Sequence, residues 1–171
     1  FPMENFIGNW WAGAEHDVMP AGAAADGYKS LNMNRVGDMP VFGEISTLVH
    51  DAGDAAGDGS NIGSVLYTRG MYAAMLAAEA IGKAQEIHGV ADITPAMMRD
   101  GMEALSITEA KMSALGLPNF GPSFDVSCAN HGGDGLVGVT QWDASAKSWS
   151  LVSNFAATDA DVIGPLIAED S

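Results

Sequence analysis

Basic residues are scarce. Lys and Arg together number 7 against 22 Asp and Glu, a formal charge of -15 over 171 residues. Such a chain repels phosphate backbones and anionic lipid, which argues against nucleic-acid or membrane-surface binding. Cysteine is reduced to one residue, Cys128, so an internal disulfide framework and a multi-cysteine zinc site are both excluded. Long apolar runs are missing too. The longest weakly charged one, Gly70 to Gly82, is interrupted by Glu79 and falls short of the ~20 residues of a membrane span. No internal repeat, low-complexity tract or signal-peptide pattern is present. What remains is 47% apolar, enough for a core without staples.

The pattern of elements reads as α/β. Phe6 to Trp11 reads as a buried strand, Glu15 to Asp26 as a short helix kinked at Pro20, and Tyr28 to Met33 as a second strand. Gly43 to His50 has helical spacing, and Asp51 to Asn61 is a loop by composition. Ile62 to about Ile87 carries the strongest helical period, although Ser64 to Tyr67 also suits a strand or hinge. Thr94-Pro95 opens a helix to Leu105. Ser106 to Glu109 reads as a capping box for a helix ending at Leu115 and Gly116. Three short strands follow, Phe124–Ser127, Leu136–Trp142 and Ser148–Phe155, with a turn over Asp143–Lys147, and the acidic tail holds one helical or extended piece near Val162 to Ile167. The expectation is a parallel sheet with a late antiparallel addition.

Candidate chemistry is sparse. Cys128 and His131 lie beside Gly132-Gly133, as a thiol–imidazole pair would, but no nucleophile signature surrounds them and the simpler reading is a small buried thiol before a turn. Glu15-His16-Asp17 offers metal-ligand types in a row, yet neighbours on a helix do not share a face. The Asp51–Asn61 loop fails the calcium-loop pattern, because Ala56 and Val65 fall where oxygen ligands are needed. Gly57 to Gly63 has neither the lysine of a P-loop nor the spacing of a dinucleotide loop. Trp10 and Trp11 sit at the C-terminal end of a predicted strand, where open α/β sheets bind ligands. They form either a stacking wall or a plug for the loop. No catalytic residue, metal ligand or cofactor is assigned.

Phe6 to Val18 with Gly27-Tyr28, Leu66 to Gly70, Glu79 to Ile81, Ile93-Thr94, Met102 to Leu105, Asp125 to His131, Gln141 to Asp143 and Trp149 to Ser153 together resemble type I periplasmic solute-binding proteins of ABC transporters, the branched-chain amino acid type. The resemblance implies parts of two Rossmann-like lobes of a Venus-flytrap fold, closed by a C-terminal hairpin. Residues 1–60 would belong to the second lobe, 61–135 to a hinge crossing and the first lobe, and 136–171 to the return. It implies a C-terminal portion of a receptor, not an enzyme, located in the periplasm. Its partners would be a small-molecule ligand, the N-terminal half and an ABC permease, with no nucleic acid and no membrane insertion. Trp10, Trp11, Glu15, Tyr67 and Arg69 would face the ligand. Amino-acid receptors of this kind place a glutamate where Trp10 stands, so an aromatic or other organic acid is expected as readily as an amino acid. The alternatives are a sensor domain of the same fold and a small Cys–His hydrolase.

Overall fold

The computed structural model describes residues 7–37, 39–131, 133, 135–157, 159, 161, 162, 164 and 165. The first strand, β1, is only Ile7–Gly8. The predicted strand stops there because Asn9 caps a 3-10 turn over Trp10–Ala12, its Oδ1 accepting from the Ala12 N–H at 3.2 Å. β2 (Lys29–Asn32) follows, and a Cβ at Gly8 would lie 1.9 Å from the Tyr28 hydroxyl, so a side chain there would displace the tyrosine ring. Between them α1 (Glu15–Val18) gives way to a 3-10 stretch at Met19, broken at Gly22 with φ of 56°.

The main sheet has the order β1-β2-β5-β6. β1 and β2 are parallel. β5 (Gly138–Asp143) runs antiparallel to β2, and β6 (Ser148–Leu151) antiparallel to β5. The expected closing hairpin is therefore present. Its turn is held by Asp143, whose Oδ1 accepts from the Ser145 N–H and Ala146 N–H, each at 2.8 Å. These bonds lower the Asp143 pKa. Half of the predicted piece near Val162 to Ile167 lies outside the described residues.

α2 (Pro40–Ile45) runs into a π-turn ending at His50. α3 is the dominant element, Val65–His88, 24 residues and about 36 Å long. Its start is fixed at Ser64, so the strand alternative for Ser64 to Tyr67 is not what forms. The Ser64 hydroxyl accepts from the Tyr67 N–H, and Gly89 ends the helix with φ of 65°. α4 (Pro95–Glu103) starts at Thr94 with proline in its first turn. One local expectation fails. Ser106 is not a helix cap but the first residue of β3 (Ser106–Ile107), paired antiparallel with β4 (Phe124–Asp125). Burial of Ile107 at 1% exposure outweighs a local cap, and Thr108 caps α5 (Glu109–Ala114) instead, accepting from the Lys111 N–H at 3.1 Å.

Apolar side chains gather in two clusters. One holds Phe42, Met75, Ile107, Met112 and Phe120, and the other Val18, Val36, Val65, Trp142 and Trp149. α3 feeds both, Val65 to one and Met75 to the other. In the first, Tyr72 packs edge-on against Phe120 with ring centroids 5.6 Å apart, and burial pushes its pKa up to about 12. An unfolded tyrosine titrates near ~10. The folded state thus keeps a proton that the unfolded state releases. This contribution is complete below about pH 10 and is lost as pH rises towards about 12. Tyr72→Phe is expected to flatten the alkaline fall in urea stability between neutral pH and about pH 11. An unchanged slope would show that Tyr72 does not contribute to it.

Candidate functional site

Chain connectivity brings Trp10, Asn32 and Arg69 together from three places. Trp10 rides the turn after β1, Asn32 ends β2, and Arg69 projects from the first turns of α3. The Arg69 guanidinium lies 4.4 Å from the Trp10 ring centroid, a cation–π arrangement. Its Nη2 donates to the Trp10 carbonyl and, at 3.2 Å, to Asn32 Oδ1. Asn32 Nδ2 donates to Thr140 Oγ1 at 2.7 Å, Thr140 Oγ1 to the Ser30 carbonyl at 3.1 Å, and Ser30 Oγ to the Asn9 carbonyl at 3.0 Å. Ser30, Asn32 and Thr140 are fully buried. A polar chain therefore runs beneath the sheet from β5 to Arg69. It positions the arginine against the indole.

Electrostatics and satisfaction single out this pair. Burial lowers the Arg69 pKa, and the nearby Asp17 and Glu15 pull it back. The guanidinium stays charged at neutral pH. Two buried donors here, Arg69 Nε and Trp10 Nε1, have no hydrogen-bond partner among the described residues. Leaving such groups unpaired is costly in a folded protein. Both are N–H donors, so the complementary group is an acceptor, best an anionic one.

The other predicted residues are placed differently. Trp11 stacks at a tilt on Trp10, ring centroids 4.9 Å apart, and is 76% exposed. It stands beside the pair and open to solvent. Glu15 is occupied: both carboxylate oxygens accept from the Val65 N–H, at 3.1 and 3.2 Å. A negative charge there satisfies the first turn of α3 and suits its dipole. Tyr67 packs edge-on against Phe42 at 6.5 Å and belongs to the rim of the first apolar cluster. Glu15, Phe42 and Ser64 line a cavity of about 360 Å³ that also touches Trp149. A larger cavity, about 660 Å³, lies between Arg35, Asn119 and Trp149, away from the Trp10–Arg69 pair. The residue types at Glu15-His16-Asp17 do not converge, because Asp17 turns back to accept from the Ala14 N–H at 2.9 Å.

Sequence reasoning missed Asn32 and Thr140. The available signal was the alternation of β2, in which the polar Ser30 and Asn32 take the buried face. A strand that buries its polar residues has a network to satisfy. Cys128 also differs from expectation. It is exposed rather than a buried thiol, because it sits in a surface turn between Ser127 and Asn130, bridged by backbone hydrogen bonds of 3.0 and 3.2 Å. The glycine turn beyond it, at residues 132 and 134, lies partly outside the described residues.

No protein-family model matches the chain, and no curated protein matches it. Two solved structures are similar. An ABC transporter permease from the Pseudomonas fluorescens group superposes with a TM-score of 0.88 at 36% identity, over 99% of this chain. A branched-chain amino acid ABC transporter from Thermus thermophilus with bound valine superposes at 0.63 and 23% identity, over 92% of this chain. The chain spans 41% of the length of each. No helix among the described residues is long and apolar enough to cross a membrane. The chain thus shares, at the level of fold, a mixed α/β part of larger proteins related to ABC transporters.

Proposed function

We propose that this chain is the C-terminal portion of an extracytoplasmic solute-binding receptor of the type I Venus-flytrap fold. The receptor captures a small organic acid in an interlobe cleft and delivers it to an ABC importer. The reading is carried by likeness over 99% of the chain to an ABC transporter structure at 36% identity. It is further supported by the Trp10–Arg69 pair, with its two unpartnered donors at the end of β1. In this reading residues 1–60 and 136–171 belong to the second lobe, residues 61–135 reach into the first, and closure is a hinge motion driven by contacts from both lobes.

The ligand class follows from the pair. Arg69 supplies a charged donor fork for a carboxylate, and Trp10 supplies an aromatic surface beside it. Both Glu15 oxygens accept from the Val65 N–H at the α3 N-terminus, which directs its charge to the helix and away from a ligand ammonium at the Trp10–Arg69 pair. Aromatic or apolar carboxylates are therefore expected to bind better than zwitterionic aliphatic amino acids. In calorimetry on the full-length receptor, Trp10→Ala should weaken an aromatic carboxylate roughly ten- to hundredfold, about 1–3 kcal/mol. Arg69→Met should weaken it at least as much. Unchanged affinity in both variants, with folding intact by melting curve, would remove the pair from the site.

A further inference from the structure

A second cluster stands apart from that pair and does not depend on the reading given to it. Glu103 ends α4, while Cys128 and His131 lie on the turn after β4. The backbone that carries them is fixed, because the Val126 N–H donates to the Leu105 carbonyl at 2.9 Å and so docks the turn beside the end of α4. The thiol, one imidazole nitrogen and one carboxylate oxygen all fall within 4.8 Å of one another. His131 Nε2 and Glu103 Oε1 are 3.4 Å apart. That separation matches the edge of a tetrahedron built on bonds of about 2.0–2.3 Å, roughly 3.5 Å. Cys128 is exposed, so its side chain can close the remaining gap by rotation at little cost.

We propose that Glu103, Cys128 and His131 bind a borderline-soft divalent cation of the Zn²⁺ type, clipping the end of α4 to the turn after β4. The donor set is one thiolate, one imidazole and one carboxylate, which suits zinc and not the hard all-oxygen demands of calcium or magnesium. Two anionic ligands balance the charge of the ion. Arg99 stands close enough to feel the charge of both Glu103 and Cys128, but its guanidinium is paired with Asp100, whose Oδ1 accepts from Arg99 Nη2 at 2.9 Å. Glu103 and His131 border a cavity of about 350 Å³ that Met98, Arg99 and Met102 also line, which leaves room for a fourth ligand. That position stays open to solvent or to an added soft ligand. Binding displaces the Cys128 thiol proton to solvent.

The test is a Co²⁺ titration of the reduced, metal-free full-length protein, followed by Zn²⁺ competition. One equivalent of Co²⁺ should produce a thiolate-to-metal charge-transfer absorption that Zn²⁺ abolishes. Cys128→Ser should remove the absorption. His131→Gln and Glu103→Gln should each weaken Zn²⁺ by more than about tenfold. Glu86→Gln, an exposed carboxylate elsewhere on α3, should leave Zn²⁺ affinity unchanged. Absence of the absorption in the wild-type protein would overturn the proposal. So would an equal loss of Zn²⁺ affinity in Glu86→Gln and Cys128→Ser, which would mean diffuse attraction to an acidic surface. Fast alkylation of Cys128 that depends on His131, with no metal uptake, would instead mark a nucleophile and likewise end the metal assignment.

Discussion

Gly101→Ala should destabilise the protein by about 2–3 kcal/mol, although alanine is the better helix former. Gly101 lies buried on α4 where that helix crosses α3. A Cβ there would sit 2.2 Å from the Ala80 carbonyl oxygen and 2.9 Å from both the Ala84 Cβ and its backbone nitrogen. Ala80 and Ala84 are themselves fully buried. The obstacle is helix backbone, not a side-chain tip that can swing away. Carbon contacts settle near 3.5–4.0 Å, so the two helices must separate by roughly 1 Å. The gain in helix propensity, about 1 kcal/mol, does not offset this. Gly82 gives the opposite sign. It is exposed on α3 with nothing within 4 Å of an added Cβ, and Gly82→Ala should stabilise by about 0.5–1 kcal/mol. Urea unfolding of the two variants side by side checks the pair. A stabilising Gly101→Ala would mean that α3 and α4 do not approach this closely.

The second large effect concerns the support of Arg69. Asn32→Leu keeps the approximate volume but removes the acceptor for Arg69 Nη2 and the donor to Thr140 Oγ1. A half-buried guanidinium loses its side-chain partner, and the buried Thr140 hydroxyl oxygen loses its donor. Each such loss costs about 1–3 kcal/mol, more where a charge is involved, so a total of about 3 kcal/mol is expected. Ligand affinity should fall with it, because the arginine is no longer pinned against Trp10. Asn32→Asp should cost less, since a carboxylate still accepts from Arg69 and Thr140 can turn its hydroxyl proton towards it. Denaturant melts give the stability order, wild type above Asn32→Asp above Asn32→Leu. Equal stability of Asn32→Leu and wild type would show that the network contributes nothing.

Much of the architecture was legible because it is local. Thr94 and Gly89 bound their helices through bonds spanning a few residues. The hairpin over Asp143 to Lys147 forms from its own turn chemistry, and the period of α3 declares its length. The acidic balance needs no structure at all. Where a local signal competed with burial, burial decided. Ser106 has a cap's sequence but pairs as β3, because that pairing buries Ile107. The candidate site was half legible: Trp10 stood out by type and position and Arg69 came in through the family resemblance, whereas Asn32 and Thr140 gave no such signal. Their bond joins residues 108 positions apart, and β2 buries its polar face, the reverse of the usual strand pattern.

The sequence by itself determined the charge, the placement of the capped helices and the closing hairpin, since each depends on composition or on neighbours within about one turn. Only the tertiary structure decided that Glu15 caps α3 from a separate segment. It also decided that Gly101 lies against the α3 backbone while Gly82 faces open space, and that Cys128 and His131 meet Glu103. Each of these is a through-space distance between separate segments, set by how α3, α4 and the strands pack, and no spacing along the chain encodes it.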